Sequence, residues 1–324
     1  MNPVIESLPI VVLYPHSRCN CRCVMCDIWK QTDGREMSPS EFDRYLDDFK
    51  KLSVRWVVLS GGEPLMHSNL FPFCSRLKSL GIRTTILTTG LLLQRDASRI
   101  VECVDDLIVS LDGPPEIHDL IRRVSGAFDR LACGIAAIHR MHAEFPIAAR
   151  STVQRANFRH LRDTARTAKT LGLRSISFLA ADVASTAFNR PNGWPPERQS
   201  GIALAADELP FLEAEIERLL DEWEDGELLA DSPEKLRRIA RHFRAYLGLC
   251  EPAAPKCNAP WVSAVVETDG TIRPCFFHEA IGHAREGLIA ALNTPAAIAF
   301  RRNLDVGTNP ICRRCVCSLN WSAA

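Results

Sequence analysis

Four cysteines crowd into the eight residues from Cys19 to Cys26, within the stretch HSRCNCRCVMCDIWK. Cys19, Cys23 and Cys26 are spaced C-x3-C-x2-C. Three thiolates from one short loop can hold three irons of a [4Fe–4S] cluster and leave the fourth iron open to a small molecule. With Cys21 the same stretch offers four thiols, the number a zinc site uses, although C-x-C-x-C-x2-C makes an awkward tetrahedral cage. A second group, Cys250, Cys257, Cys275, Cys312, Cys315 and Cys317, lies at the other end. Cys257 and Cys275 are arranged around Gly270 as C-x12-G-x4-C, and Cys312-x2-Cys315 completes a four-thiol set. That set suits another iron–sulfur cluster or a zinc ribbon. Cys74, Cys103 and Cys133 stand singly in apolar segments and read as small buried hydrophobes.

The elements that must position these thiols alternate in type. IVVLY, RWVVLS, TTILTT, DLIVSLDG, IAARSTV and SISFLA read as six apolar strands. Helical patterns follow the strands, near Ser38–Leu52, Leu70–Leu80, Arg95–Cys103, Gly126–His142 and Asn157–Leu171. The first carries explicit start signals: Ser38 as N-cap, Pro39 at the first helical position and Glu41 completing a capping box. Six β-α units imply a parallel sheet covered by helices. The cysteine loop follows the first strand, on the C-terminal face where barrel active sites lie. The second strand runs into Gly61-Gly62-Glu63-Pro64. Its glycines let backbone come close to a ligand, and Glu63 could meet an ammonium group.

After Ala181 the alternation stops. FNRPNGWPPERQSG reads as a Pro/Gly-rich linker or lid. Two amphipathic helices follow, near Asp207–Glu224 and Pro233–Leu249, and then a hairpin flanking Asp269-Gly270. The expected organisation is a core barrel over 1–185, linker and helices over 186–250, and a small cysteine-bearing unit over 251–324.

The combination of C-x3-C-x2-C, CDIW and GGEP one β-α unit later resembles the radical S-adenosylmethionine (SAM) superfamily over nearly the whole chain. The resemblance implies an α/β fold, a partial (β/α)6 TIM-like barrel with a small C-terminal iron–sulfur extension. It implies that Cys19, Cys23 and Cys26 bind a [4Fe–4S] cluster whose open iron is chelated by SAM. Met25, Gly61, Gly62 and Glu63 would then be SAM-binding. VSLDGPPEIHDLIRR is similar to the subgroup segment in which a serine and an arginine hold SAM, here Ser110 and Arg122. An arginine fork suits the SAM carboxylate. Asp112 reads as a turn-former and Cys21 as a bystander. The tail resembles a shortened SPASM domain of the type called a twitch. There Cys257, Cys275, Cys312 and Cys315 would hold one auxiliary [4Fe–4S] cluster. The chain stops nine residues after Cys315, which argues against a second.

The implied activity is reductive cleavage of SAM to a 5′-deoxyadenosyl radical that abstracts hydrogen from a substrate. The expected outcome is oxidation or modification of a small molecule or natural-product precursor. The alternative is a maturase acting on a ribosomal peptide or protein. About nine residues precede the first strand, leaving no room for the precursor-binding domain of many such maturases. In sulfatase-maturing relatives an aspartate base follows the cysteine matched by Cys275. Phe276 stands there in this chain, and no catalytic side chain is assigned. Arg150, His278 and Glu279 are polar groups that could approach substrate. A non-catalytic iron–sulfur or zinc protein is the reading from another class. It would need neither GGEP nor the Ser110/Arg122 pair.

Composition bounds the rest. The chain has 324 residues, 46% hydrophobic and 24% charged, with a formal charge of zero. Nothing steers it toward nucleic acid or an anionic membrane. Thirteen cysteines without a secretion signal point to a reducing compartment and a cytoplasmic location. A flavodoxin or ferredoxin is the expected electron donor.

Overall fold

The computed structural model describes residues 1–224, 226 and 228–322. Six parallel strands follow one another across the sheet in chain order: β1 (Ile10–His16), β2 (Trp56–Gly61), β3 (Arg83–Thr88), β4 (Asp106–Ser110), β5 (Ile147–Val153) and β6 (Ser175–Ala180). Helices α1 (Pro39–Lys51), α2 (Leu70–Ser79), α3 (Leu93–Cys103), α4 (Pro115–Arg122), α5 (Ala127–Met141) and α6 (Leu161–Thr170) join them. This is the partial (β/α)6 arrangement expected from the strand count. The capping box of α1 forms as its residues dictate. The Glu41 amide donates to Ser38 Oγ at 3.2 Å, and the Ser38 amide donates to Glu41 Oε2 at 2.7 Å.

The N-terminal ends of the strands are tied by a polar chain. Trp56 Nε1 donates to Thr85 Oγ1, Thr85 Oγ1 donates to Asp106, and Arg83 pairs with Asp106 at 2.7 Å. Toward β4–β6 the strands carry half-buried or exposed residues at alternate positions, among them Ser110, Arg150 and Ser177. The other face packs Leu107, Val109, Ile147, Ala149, Ile176 and Phe178 into the main core. Cys74 and Cys103 are buried as their apolar settings suggest. Cys133 is exposed, because its position on α5 turns away from the buried stripe of Leu131, Ile135 and Ile138.

Beyond β6 come α7 (Pro196–Ile202), α8 (Leu209–Glu222) and α9 (Pro233–Tyr246). The tail holds α10 (Ala259–Val262), β7 (Ser263–Val266), β8 (Thr271–Arg273), β9 (Gly282–His283), α11 (Leu288–Leu292), α12 (Pro295–Asn303) and α13 (Pro310–Arg313). The Asp269-Gly270 hairpin forms, with Val265 opposite Arg273. It is not a free-standing unit. β7 pairs in parallel with β1, Val11 beside Ala264, and extends the barrel sheet to nine strands. An unpaired β1 edge would leave a row of backbone groups without partners, and the tail supplies them. One core cluster accordingly runs from Val11 through Val266, Ile272 and Leu288.

Candidate functional site

β1 ends at His16, and the cysteine loop begins there. Two neighbouring loops clamp it through backbone. The Gly62 amide donates to His16 O at 3.2 Å and the Glu63 amide to Arg18 O at 2.8 Å. The glycine pair is required by this approach. A Cβ on Gly62 would lie 2.0 Å from Arg18 O, and one on Gly61, at φ +99°, would strike the Tyr14 ring at 2.8 Å. On the other side the Arg22 and Val24 amides donate to the carbonyls of Arg122 and Ile121 at the end of α4. The Trp29 indole of CDIW donates to Cys26 O at 2.9 Å and closes the loop.

Glu63 is fully buried, and its carboxylate serves the chain itself. It accepts from Thr88 Oγ1, from the Thr89 amide and hydroxyl, and from the Leu65 amide, at 2.7–3.1 Å. Burial pushes its carboxyl pKa up. The structure therefore makes Glu63 the pin between GGEP and the end of β3, and leaves its carboxylate no free face for an ammonium. Gly61 and Gly62 are what this segment shows to the adjoining cavity.

Arg122 is the last residue of α4 and is buried, whereas Arg123 is exposed in the left-handed region at φ +55°. Arg122 pairs with Asp112 at 2.5 Å and directs Nη1 to Cys23 Sγ at 3.5 Å. Asp112 is thus more than a turn-former. It is a fully buried carboxylate that also accepts from the Thr152 amide at 2.9 Å. A carboxylate at a strand end followed by an arginine ten residues later was the available signal. The pair holds Arg122 against the cysteine loop. Ser110 lies half-buried at the end of β4 beside Arg150 of β5, and Met25 is half-buried against the core.

Hydrogen bonding from Cys21, and then the Arg122 guanidinium, lowers the pKa of Cys23. Burial raises those of Cys19 and Cys26. Cys21 is buried against Cys23 rather than standing free. The amide nitrogen of Asn20, next to Cys19, is buried with no partner among the described residues. Three thiols, Cys23 buried and Cys19 and Cys26 half-buried, with an unmet donor beside them fit a cluster that accepts thiolate and hydrogen-bond contacts. Among the described residues no three His, Cys, Asp or Glu side chains converge as a single metal ion requires.

The Pro/Gly-rich segment after β6 is an ordered cap on this loop. Asp27, directly after Cys26, is buried and receives Arg198 at 2.7 and 2.8 Å, Trp194 Nε1 at 2.7 Å and Lys30 at 3.1 Å. Arg190 is also buried. It pairs with Asp182 at 2.8 Å and stacks on Trp194 at 4.2 Å.

The tail cysteines gather at the ends of short elements. Cys275 follows β8. Cys312 sits in α13, whose N-cap Asn309 accepts from the Ile311 and Cys312 amides. Asn258, next to Cys257, is stitched to the Leu319 and Trp321 backbone at 2.6–2.9 Å. Burial, with Cys275 and Cys257 adding charge, raises Cys312 to about 11. His278 is buried with Nε2 3.3 Å from Cys312 Sγ, and Phe276 stacks on Tyr14 at 6.3 Å. Glu279 is exposed. Arg150 is exposed on the barrel face of β5, 3.3 Å from Ser177 Oγ. Between the two cysteine groups lies a cavity of about 420 Å³. Ser17, Ile28, Gly61 and Gly62 bound it on one side, Phe276, Phe277 and Glu279 on the other, and cap residues Thr186–Pro191 along its edge.

Residues 13–178 match the family model of the radical SAM superfamily, and residues 257–316 that of an iron–sulfur cluster-binding domain, SPASM. An AdoMet-dependent heme synthase of Methanosarcina barkeri is 31% identical over 159 residues, 48% of this chain and 45% of that protein. The subtilosin biosynthesis protein AlbA of Bacillus subtilis is 24% identical over 80% of this chain and 52% of its own. The chain spans about half the length of these curated relatives. The crystal structure of Streptococcus suis SuiB bound to S-adenosylmethionine superposes with a TM-score of 0.70 at 15% identity, covering 98% of this chain and 74% of that one. At that identity the likeness is one of fold.

Proposed function

The chain belongs to the radical SAM superfamily and carries a SPASM-type extension, and from that premise we propose that it modifies a small molecule or natural-product precursor by hydrogen abstraction, with net oxidation. When bound, the [4Fe–4S] cluster and SAM supply reductive cleavage and the hydrogen-abstracting group. The chain's part is to hold, orient and enclose. Cys19, Cys23 and Cys26 are the proposed cluster ligands. The Arg122–Asp112 pair positions Cys23 and favours its thiolate. Met25, Gly61, Gly62 and Ser110 are the proposed SAM-side surface, with Glu63 acting through the backbone it pins. Cys257, Cys275, Cys312 and Cys315 are the proposed ligands of one twitch-type auxiliary cluster. The barrel is assigned to 1–185, the joining segment to 186–250 and the auxiliary unit to 251–324.

The observation that carries this reading is the placement of one cavity between the clamped cysteine loop and the cysteine-bearing tail. Its size suits a small ligand. A second reading, a peptide or protein substrate, is favoured by the likeness to AlbA, named for bacteriocin biosynthesis, over most of the chain. No helix among the described residues is long and apolar enough to cross a membrane. A cytoplasmic setting with a flavodoxin or ferredoxin donor accords with the cysteine usage. The test is anaerobic reconstitution with iron, sulfide, dithionite and SAM, followed by assay of 5′-deoxyadenosine. Formation of that product is expected. A preparation rich in zinc and silent toward SAM overturns the proposal.

A further inference from the structure

A second cavity, of about 540 Å³, lies where the barrel stops at β6, between the end of that strand, α9 and the tail around Cys315. It meets the first cavity along a shared wall of Thr186, Phe277 and Glu279. Its lining is cationic by construction. α9 buries Leu236, Ile239, Ala240 and Phe243. It turns Lys235, Arg238, Arg241, His242 and Tyr246 toward the cavity. The remaining two arginines that pair with α8 point elsewhere: Arg237 meets Glu217 at 2.6 Å and Arg244 meets Glu213 at 2.6 Å. The helix thus pairs its outward arginines with α8, whereas of its cavity-facing cations only Lys235 has a carboxylate partner.

The tail adds Arg313 and Arg314 to the same lining. The acids present are Asp182, already held by Arg190, and Glu279. Lys235 pairs with Asp231 at 2.5 Å, Arg238 donates to the Cys315 and Val316 carbonyls, and Arg313 to Pro252 O and Glu251. Among the described residues Arg241 and Arg314 have no acceptor, and both are exposed. A separate observation points to a ligand. His242 Nε2 is buried in this wall with no partner among the described residues. Burial lowers the His242 pKa to about 4, so the neutral ring is the form present near pH 7.

We propose that this cavity receives the anionic group of a small substrate, a phosphate or a carboxylate, on Arg241 and Arg314, with the unpartnered His242 Nε2 hydrogen-bonding to a neighbouring polar group of the same molecule. The inference rests on the reading above that substrate sits between the two cysteine groups, and it names the substrate class. A guanidinium fork suits either oxyanion.

The experiment is calorimetric titration of the reconstituted full chain with inorganic phosphate and, separately, with succinate. The two probes distinguish the phosphate source from the carboxylate source. At least one is expected to bind. The double variant Arg241→Gln, Arg314→Gln should weaken it about tenfold or more. The control Arg237→Gln, Arg244→Gln removes the same charge from the outward face of α9 and should leave the affinity within about twofold. Circular dichroism monitors folding of both variants. Binding of neither probe, or equal weakening by both double variants, overturns the proposal. The 5′-deoxyadenosine assay of the unmodified chain decides the enzyme reading separately, because anion titration requires no SAM cleavage.

Discussion

The two cysteine groups are held in opposite ways. The opening loop has almost no structure of its own and is fastened from outside. GGEP holds it on one side, α4 on another, and the cap reaches it through Asp27. The tail cysteines are fastened mostly by their own neighbourhood: Asn258 to Leu319 and Trp321, Asn309 to Ile311 and Cys312, His278 to Cys312. Barrel residues reach the opening loop from the ends of β2 and β3 and from α4. The tail's thiol-bearing ends receive a few strap-like contacts, such as Arg238 on the Cys315 carbonyl. A site that must open one coordination position to a substrate-like molecule is built into the rigid sheet. A site with four cysteines of its own can close on itself and complete its folding with metal.

The sharpest way to break this comparison is to remove each group in turn. Replacing Cys19, Cys23 and Cys26 by Ala should remove about half of roughly eight irons per chain and abolish 5′-deoxyadenosine formation. Replacing Cys312 and Cys315 by Ala should leave that formation within about tenfold, or 1.4 kcal/mol in barrier, while product formation vanishes. SAM-binding and circular-dichroism controls accompany both. If the tail variant turns over substrate at the normal rate, its cluster is structural and the oxidative outcome is lost.

A smaller effect tests the external fastening. Arg122→Ala leaves Asp112 as a lone buried carboxylate and frees Cys23, at a cost on the order of 3–5 kcal/mol. Stability by denaturant, iron content and SAM affinity should all fall. Arg123→Ala, at an exposed position one residue on, should change each little. The reverse sensitivity would show that the ion pair does not position the loop.

Smaller again is the cap. Arg198→Ala removes a charge-assisted pair of hydrogen bonds worth about 1.5–3 kcal/mol, discounted because Arg198 is partly exposed. Trp194 and Lys30 remain on Asp27. Limited proteolysis should cut faster between Asp182 and Arg198, and air should bleach the opening cluster sooner than the tail cluster. Equal bleaching of both would mean that the cap does not shield the loop.

What was legible in the sequence follows from range. The capping box of α1, the six strands and the cysteine spacings are local patterns, read from side chains a few residues apart. The partners that matter most at the site are not local. Asp27 meets Arg198, Asp112 meets Arg122 after a helix intervenes, and β1 finds β7 from the far end of the chain. Asp112 looked like a turn residue because Asp-Gly after a strand is ordinary turn chemistry. Its burial is decided by α4 folding back over it. Glu63 looked like a ligand group because a carboxylate beside glycines is commonly exposed. The Thr88-Thr89 donors that consume it come from the next strand.

The smallest effect concerns acid. His118, on α4 behind the opening loop, is completely buried, and its Nδ1 accepts from the Asp112 amide at 3.3 Å. Burial, and then the Arg122 charge, lowers its pKa to about 3. The sign follows from which state takes the proton. Below about pH 6.5 the unfolded chain protonates this histidine while the folded chain does not. Stability contributed by the neutral ring is therefore full above pH 6.5 and drains away as pH falls toward 3. The slope from one such group is at most about 1.4 kcal/mol per pH unit. His118→Gln keeps an acceptor near the Asp112 amide but cannot titrate. Its denaturation midpoints at pH 7 and pH 5 should differ less than those of the unmodified chain, even if both are lower. The loss should fall on the barrel signal and on retention of the opening cluster, since α4 carries the carbonyls that hold Arg22 and Val24. An acid limb unchanged by His118→Gln would place the titrating group elsewhere and detach α4 from the acid sensitivity of the opening site.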